Sequence, residues 1–169
     1  MSRRFNLAPM TTGLRVFTGI LFVMPPALLW TALRAPAPER YALWFAFAVV
    51  CVIYAGVWLL WRPTCFELDA SSLRIEWPLR SRTVARSAVE GARILSSPEL
   101  RREYGRGMRI GAGGLWGGFG LLRTRRATFS MWISRTDRLV IVSLKGARPL
   151  LVTPEDPERF VEELSHPPG

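Results

Sequence analysis

Two long apolar runs open the chain, and period-two alternation takes over after them. Residues 16–33 read VFTGILFVMPPALLWTAL, and residues 41–61 read YALWFAFAVVCVIYAGVWLLW. Neither run carries a charge, and neither shows the polar face of a helix lying on a soluble core. At 1.5 Å per residue they reach about 27 and 31 Å, matching a hydrocarbon thickness of roughly 30 Å. Trp30, Tyr41, Trp44, Trp58 and Trp61 lie near the ends, where an aromatic belt meets the headgroups. The pattern predicts a transmembrane α-hairpin with a short proline-rich connector, residues 34–40. Pro25 and Pro26 each lack an N–H and free the carbonyl four residues back, so the second helix is expected to supply a donor.

After residue 62 the period changes to two. Phe66 and Leu68 alternate with Glu67 and Asp69. Leu73, Ile75, Trp77 and Leu79 alternate with Arg74, Glu76, Pro78 and Arg80, as in a half-buried β-hairpin. Further short strands are expected at 83–85, 92–95, 119–123, 127–133, 139–144 and 149–152. The 139–144 run is apolar on both faces, which predicts a central strand. Residues 99–118 show no clear period. Asp156 as N-cap and Pro157 at the first helical position start a closing helix. Phe160, Val161 and Leu164 form its apolar stripe, and Pro167-Pro168 ends it. Seven or eight strands followed by one amphipathic helix fit a mainly β domain, a partly open barrel or sandwich capped by the C-terminal helix. The expected division is a tail and membrane hairpin over 1–62, the β domain over 63–166, and a tail over 167–169.

Charge sharpens this picture. The chain has 23 basic and 13 acidic residues, and Lys145 is its one lysine. A net charge of +10 draws it to anionic surfaces. Arg3, Arg4 and Arg15 precede the hairpin, while Arg62, Arg74, Arg80 and Arg82 follow it. The connector carries only Arg34 and Arg40, so the positive-inside rule places both termini in the cytoplasm. The arginine bias is also what a GC-rich bacterial genome produces, and the expected location is a bacterial inner membrane.

Catalytic constellations are not apparent. His166 is the sole histidine and sits in a proline-rich end, away from any packed triad or metal pocket. Cys51 and Cys65 lack metal-ligand spacing. The glycines over 105–120 do not fit G-x-G-x-x-G, and no G-K-[ST] occurs. The sequence therefore predicts no catalytic residue, no metal and no cofactor. The unusual stretch is 101–126, with seven arginines, eight glycines and a single acid, Glu103. It reads as a mobile solvated loop, as a loop contacting anionic headgroups with Leu115-Trp116 at the interface, or as a site for a partner macromolecule. No recognised nucleic-acid motif is present, and no nucleic acid is expected. The candidate lipid- or partner-binding residues are Arg101, Arg102, Arg106, Arg109 and Trp116.

Two stretches carry a resemblance. Residues 151–161, LVTPEDPERFV, run a last strand into a helix start, and residues 113–120, GGLWGGFG, precede a strand. Together with the two helices they resemble the bacterial pleckstrin-homology-like (PH-like) domain membrane proteins, over residues 64–164. The resemblance implies a PH-like barrel and brings no catalytic motif with it. The expected function is a non-enzymatic, membrane-anchored binding or scaffold module, docking a protein partner or anionic lipid headgroups. The alternative is an accessory subunit of a membrane enzyme or transporter complex.

Overall fold

The computed structural model describes residues 2–165, so His166 and the Pro167-Pro168 stop lie outside the described residues. The apolar runs form helix α1 (Thr12–Arg34) and helix α2 (Glu39–Gly56). Helix α2 continues through a π-helical turn, Val57–Trp61, closed by Arg62 N–H donating to the Val57 carbonyl. Both 23-residue spans are long and apolar enough to cross a membrane. Their side chains are mostly exposed, as lipid-facing residues would be. The proline interruption has a partner. Leu21 lies four residues before Pro25, and its carbonyl accepts the Tyr54 hydroxyl of α2 at 2.6 Å.

Strands β1 (Arg3–Asn6), β2 (Cys65–Leu68), β3 (Ser72–Glu76) and β4 (Ser81–Ala85) form an antiparallel sheet in that order. A second sheet has six strands: β5 (Val89–Leu95), β6 (Gly107–Gly113), β7 (Gly118–Thr124), β8 (Thr128–Ile133), β9 (Leu139–Leu144) and β10 (Leu150–Val152). Its order is β5-β9-β10-β8-β7-β6, with β8 and β10 parallel. Helix α3 (Ser97–Tyr104) links the edge strands β5 and β6, and helix α4 (Pro157–Ser165) ends the described chain.

The two sheets enclose one core. Phe66, Leu73, Ile75 and Trp77 meet Phe119, Trp132, Val140, Val142 and Val152. Helix α4 closes this core with Phe160 and Leu164, and its start is capped by Asp156, whose carboxylate accepts the Arg159 N–H at 3.1 Å. The Phe160 ring sits edge-on to Phe5 at 5.3 Å and to Phe66 at 6.0 Å. A second core lies on the other face of the six-stranded sheet: Phe129, Met131, Ile133, Leu139, Ile141 and Leu151, covered by Leu100 and Tyr104 of α3. Two covered faces explain why β8 and β9 are buried along both sides.

Three stretches depart from the sequence expectation. Residues 3–6, expected as a tail, form an edge strand of the first sheet. The chain then runs between the sheets, where the buried Ser134 hydroxyl donates to the Ala8 carbonyl and the Ala8 N–H donates to Thr153 O at 2.9 Å. Residues 99–118, which show no period, hold most of α3 and all of β6. Leu79 was expected to face inward, but β3 ends at Glu76. A turn closed by Trp77 N–H to Arg80 O leaves Leu79 65% exposed.

Candidate functional site

The β6–β7 hairpin positions most of the candidate residues. Its strands pair from Gly107↔Thr124 to Gly113↔Gly118. At the Gly113↔Gly118 end the tip, residues 114–117, docks on the apolar helices. Gly114 N–H donates to Gly117 O at 2.8 Å. The Thr18 hydroxyl of α1 donates to Gly114 O at 3.0 Å and accepts from Trp116 N–H at 3.2 Å. The Trp116 ring packs edge-on to Phe22, Tyr54 and Trp58, 4.9–6.2 Å away. This geometry requires glycine. Gly117 has φ +158, and a Cβ there would lie 2.3 Å from the Ile133 carbonyl oxygen; a Cβ on Gly114, at φ +94, would meet Phe17 at 2.4 Å. One step back, Gly111 and Gly120 face each other across the hairpin, and the Trp61 ring lies against both. Helix and hairpin therefore run side by side. Going from Gly111 to Trp116 climbs α2 from Trp61 toward Tyr54.

That arrangement separates the candidate residues. Trp116 is packed against α1 and α2, in edge-on contact with Phe22, Tyr54 and Trp58. The arginines lie elsewhere. Arg109 is two residues back from Gly111 and Gly107 four, about 7 and 13 Å at 3.3 Å per strand residue, on the side away from the helices. Arg106 precedes Gly107, and the turn holding Arg125 and Arg126 closes the same end of the hairpin. Arg101 and Arg102 project from α3, which ends there at Gly105. Arg101 and Arg109 come together with Ser97 and Thr124 in a cleft of about 400 Å³. Glu103, the one acid of this stretch, is already engaged. Its carboxylate pairs with Arg93, which is the main reason it is held below the usual carboxylate range. Its carbonyl accepts from Arg126 at 2.7 Å. Among the described residues, Arg101, Arg106 and Arg109 make no ion pair.

The helix that carries Arg101 and Arg102 had a readable start. Ser96 and Glu99 form a reciprocal capping box, Pro98 sits in the first turn, and Gly105 at φ +84 ends the helix.

One thiol–carboxylate group lies outside this region. Cys65, Glu67 and Glu76 lie within 4.8 Å of one another on the outer face of the first sheet. Burial pushes the Cys65 thiol up, against the pull of Arg4 beside it. Arg74 Nε stands 3.3 Å from Glu76. A cation entering here would face both guanidinium groups, so the cluster is balanced by the protein's own charges.

No model of a known protein family matches the chain, and no curated protein is similar to it.

Proposed function

We propose that this protein is a non-enzymatic, membrane-anchored docking module of PH-like design, with both termini on the cytoplasmic face of a bacterial inner membrane. Its ligand on this reading is an acidic segment of a partner protein. One observation carries the proposal: Arg101 and Arg109 line an open cleft with no carboxylate paired to them, beside Arg102 and Arg106. Guanidinium groups held this way suit carboxylates, which they bind in a planar, two-pronged geometry. The cleft lies on the side of the hairpin away from the helices, so a partner in the cytoplasm reaches it more readily than a headgroup does. The two-sheet core closed by α4 supports the PH-like reading of the domain.

The test is co-purification from detergent-solubilised membranes, comparing the parent with a variant carrying Arg101→Gln, Arg102→Gln, Arg106→Gln and Arg109→Gln. The expected result is a partner with an acidic surface, retained by the parent, released by raised salt, and absent from the variant. A partner that the quadruple variant holds as well as the parent does would refute the assignment of these residues. A stoichiometric enzyme or transporter among the retained proteins would move the reading to an accessory subunit.

A further inference from the structure

A second set of unpaired arginines lies where the helical hairpin meets the β domain. Trp61 ends α2, and its carbonyl accepts the indole N–H of Trp77 at 3.1 Å. Trp77 packs edge-on to Trp132, with ring centroids 5.3 Å apart. Each indole of this pair carries a guanidinium: Arg80 lies over Trp77 at 4.5 Å, and Arg82 over Trp132 at 5.7 Å. Arg62, the residue after Trp61, lies over Trp58 at 4.5 Å. None of the three arginines forms an ion pair among the described residues. The acid nearest in sequence, Glu76, points to the other face of β3 and is taken by Arg74. Beside this group opens a cleft of about 300 Å³, lined by Leu60, Trp61, Arg80, Leu121, Ser130 and Trp132. Leu79, next to Arg80, stands out into the surroundings.

The chemistry asks for a ligand with two parts. The arginines need an anion, and the walls need an apolar body. The site lies at the end of α2, where its last lipid-facing residues, Leu60 and Trp61, give way to Arg62. A headgroup phosphate of the adjoining leaflet arrives at this level with acyl chain attached. We propose that this junction binds an anionic phospholipid of the surrounding bilayer, its phosphate on Arg80 and Arg82 and its chain root against Leu60, Leu121 and Trp132. A free phosphate would leave the apolar walls unused. Arginine over an indole keeps its N–H edges directed outward, so stacking and phosphate binding are compatible. The site is separate from the Arg101–Arg109 cleft, and the inference rests on α1 and α2 crossing the bilayer.

The experiment uses the full chain. Flotation with neutral vesicles first establishes that it is bilayer-embedded; a chain that stays behind would overturn the membrane reading and this inference together. Native mass spectrometry from micelles doped equally with phosphatidylglycerol and phosphatidylcholine then counts retained lipid. The parent is expected to retain phosphatidylglycerol in preference by about tenfold or more. Added inorganic phosphate should leave that preference unchanged. Arg80→Gln with Arg82→Gln should abolish it, and Arg80→Lys with Arg82→Lys should restore part of it, which separates lost charge from lost fold. Arg101→Gln with Arg109→Gln should leave it intact. No preference in the parent, displacement by inorganic phosphate, or loss only in the Arg101/Arg109 variant would each overturn the proposal.

Discussion

Replacing Thr18 with valine tests whether the β6–β7 tip is fastened to the helical hairpin by one hydroxyl. The side chains are nearly the same size, and Thr18 is only 4% exposed, so the packing against the tip is preserved and the hydrogen bonding is removed. Two backbone groups lose their partner, the Gly114 carbonyl and the Trp116 N–H. Leaving a buried polar group unpaired costs about 1–3 kcal/mol, so two cost about 2–6 kcal/mol if the tip cannot move. The tip can relax toward the interface, which favours the lower end, about 2–3 kcal/mol. That corresponds to a population of the undocked tip raised by about 30- to 150-fold. Amide hydrogen exchange at Trp116, measured on the full chain in a bilayer disc, reads this population directly when reclosing is fast. Thr18→Val should speed exchange at Trp116 by that factor and leave the β9 amides unchanged. Thr18→Ser, which keeps the hydroxyl, should stay close to the parent. Equal protection of Trp116 in Thr18→Val and the parent would refute the clamp, as would a serine variant as open as the valine one.

Phe160→Ala removes a ring that is fully buried against Phe5 and Phe66, and should cost about 3–5 kcal/mol; an unshifted thermal midpoint would mean that α4 does not close the core. Arg135 holds the Asp137 carboxyl down at about 2, below the ordinary 3.8. Because the folded-state value is depressed, this pair stabilises the fold above pH ~4 and loses its effect as pH falls from there toward 2. Asp137 is half-exposed, so water screens the pair, and Asp137→Asn should cost only about 0.5 kcal/mol at pH 7. Denaturation curves of variant and parent should converge near pH 2, and a gap that persists there would contradict the assignment.

Much of the molecule was readable because its signals are local. Absence of charge over 16–33 and 41–61 is enough to mark α1 and α2, and Pro25 correctly pointed to a donor from the second helix. Alternation located β2 and β8, and the apolar runs located β7 and β9, within a residue or two, while β3 stops at Glu76, short of the alternation expected through Leu79. Strand β1 escaped because four residues with one buried side chain, Phe5, make no pattern. Its partner β2 lies some sixty positions along the chain, and only that pairing defines it. In β6 the apolar alternation of Met108, Ile110 and Ala112 is present, but three glycines dilute it to what looks like a loop. Helix α3 is too short for a full apolar stripe, and only its capping residues announce it. The arginines of the candidate site were visible as residue types. That Arg101 and Arg109 share a cleft while Trp116 lies at the opposite end of the hairpin depends on the turn of α3 into β6, which the residues 99–118 do not reveal by periodicity.

Strand β6 leaves one edge of the six-stranded sheet open, with Met108 and Ile110 exposed along it. Such an edge ordinarily invites a copy of itself, strand against strand, as the start of aggregation. If α1 and α2 cross a bilayer, two copies inserted the same way share one up-and-down orientation. Because β6 lies alongside the end of α2, the strand in each copy points the same way along the membrane normal. Antiparallel joining of β6 to β6 requires one of them to be upside down, which insertion forbids. A bilayer-crossing hairpin would thus bar the antiparallel pairing and leave only a parallel one, by geometry rather than by any side chain. On that reading, protein extracted into detergent, free to tumble, is the form in which antiparallel edge-to-edge association should appear.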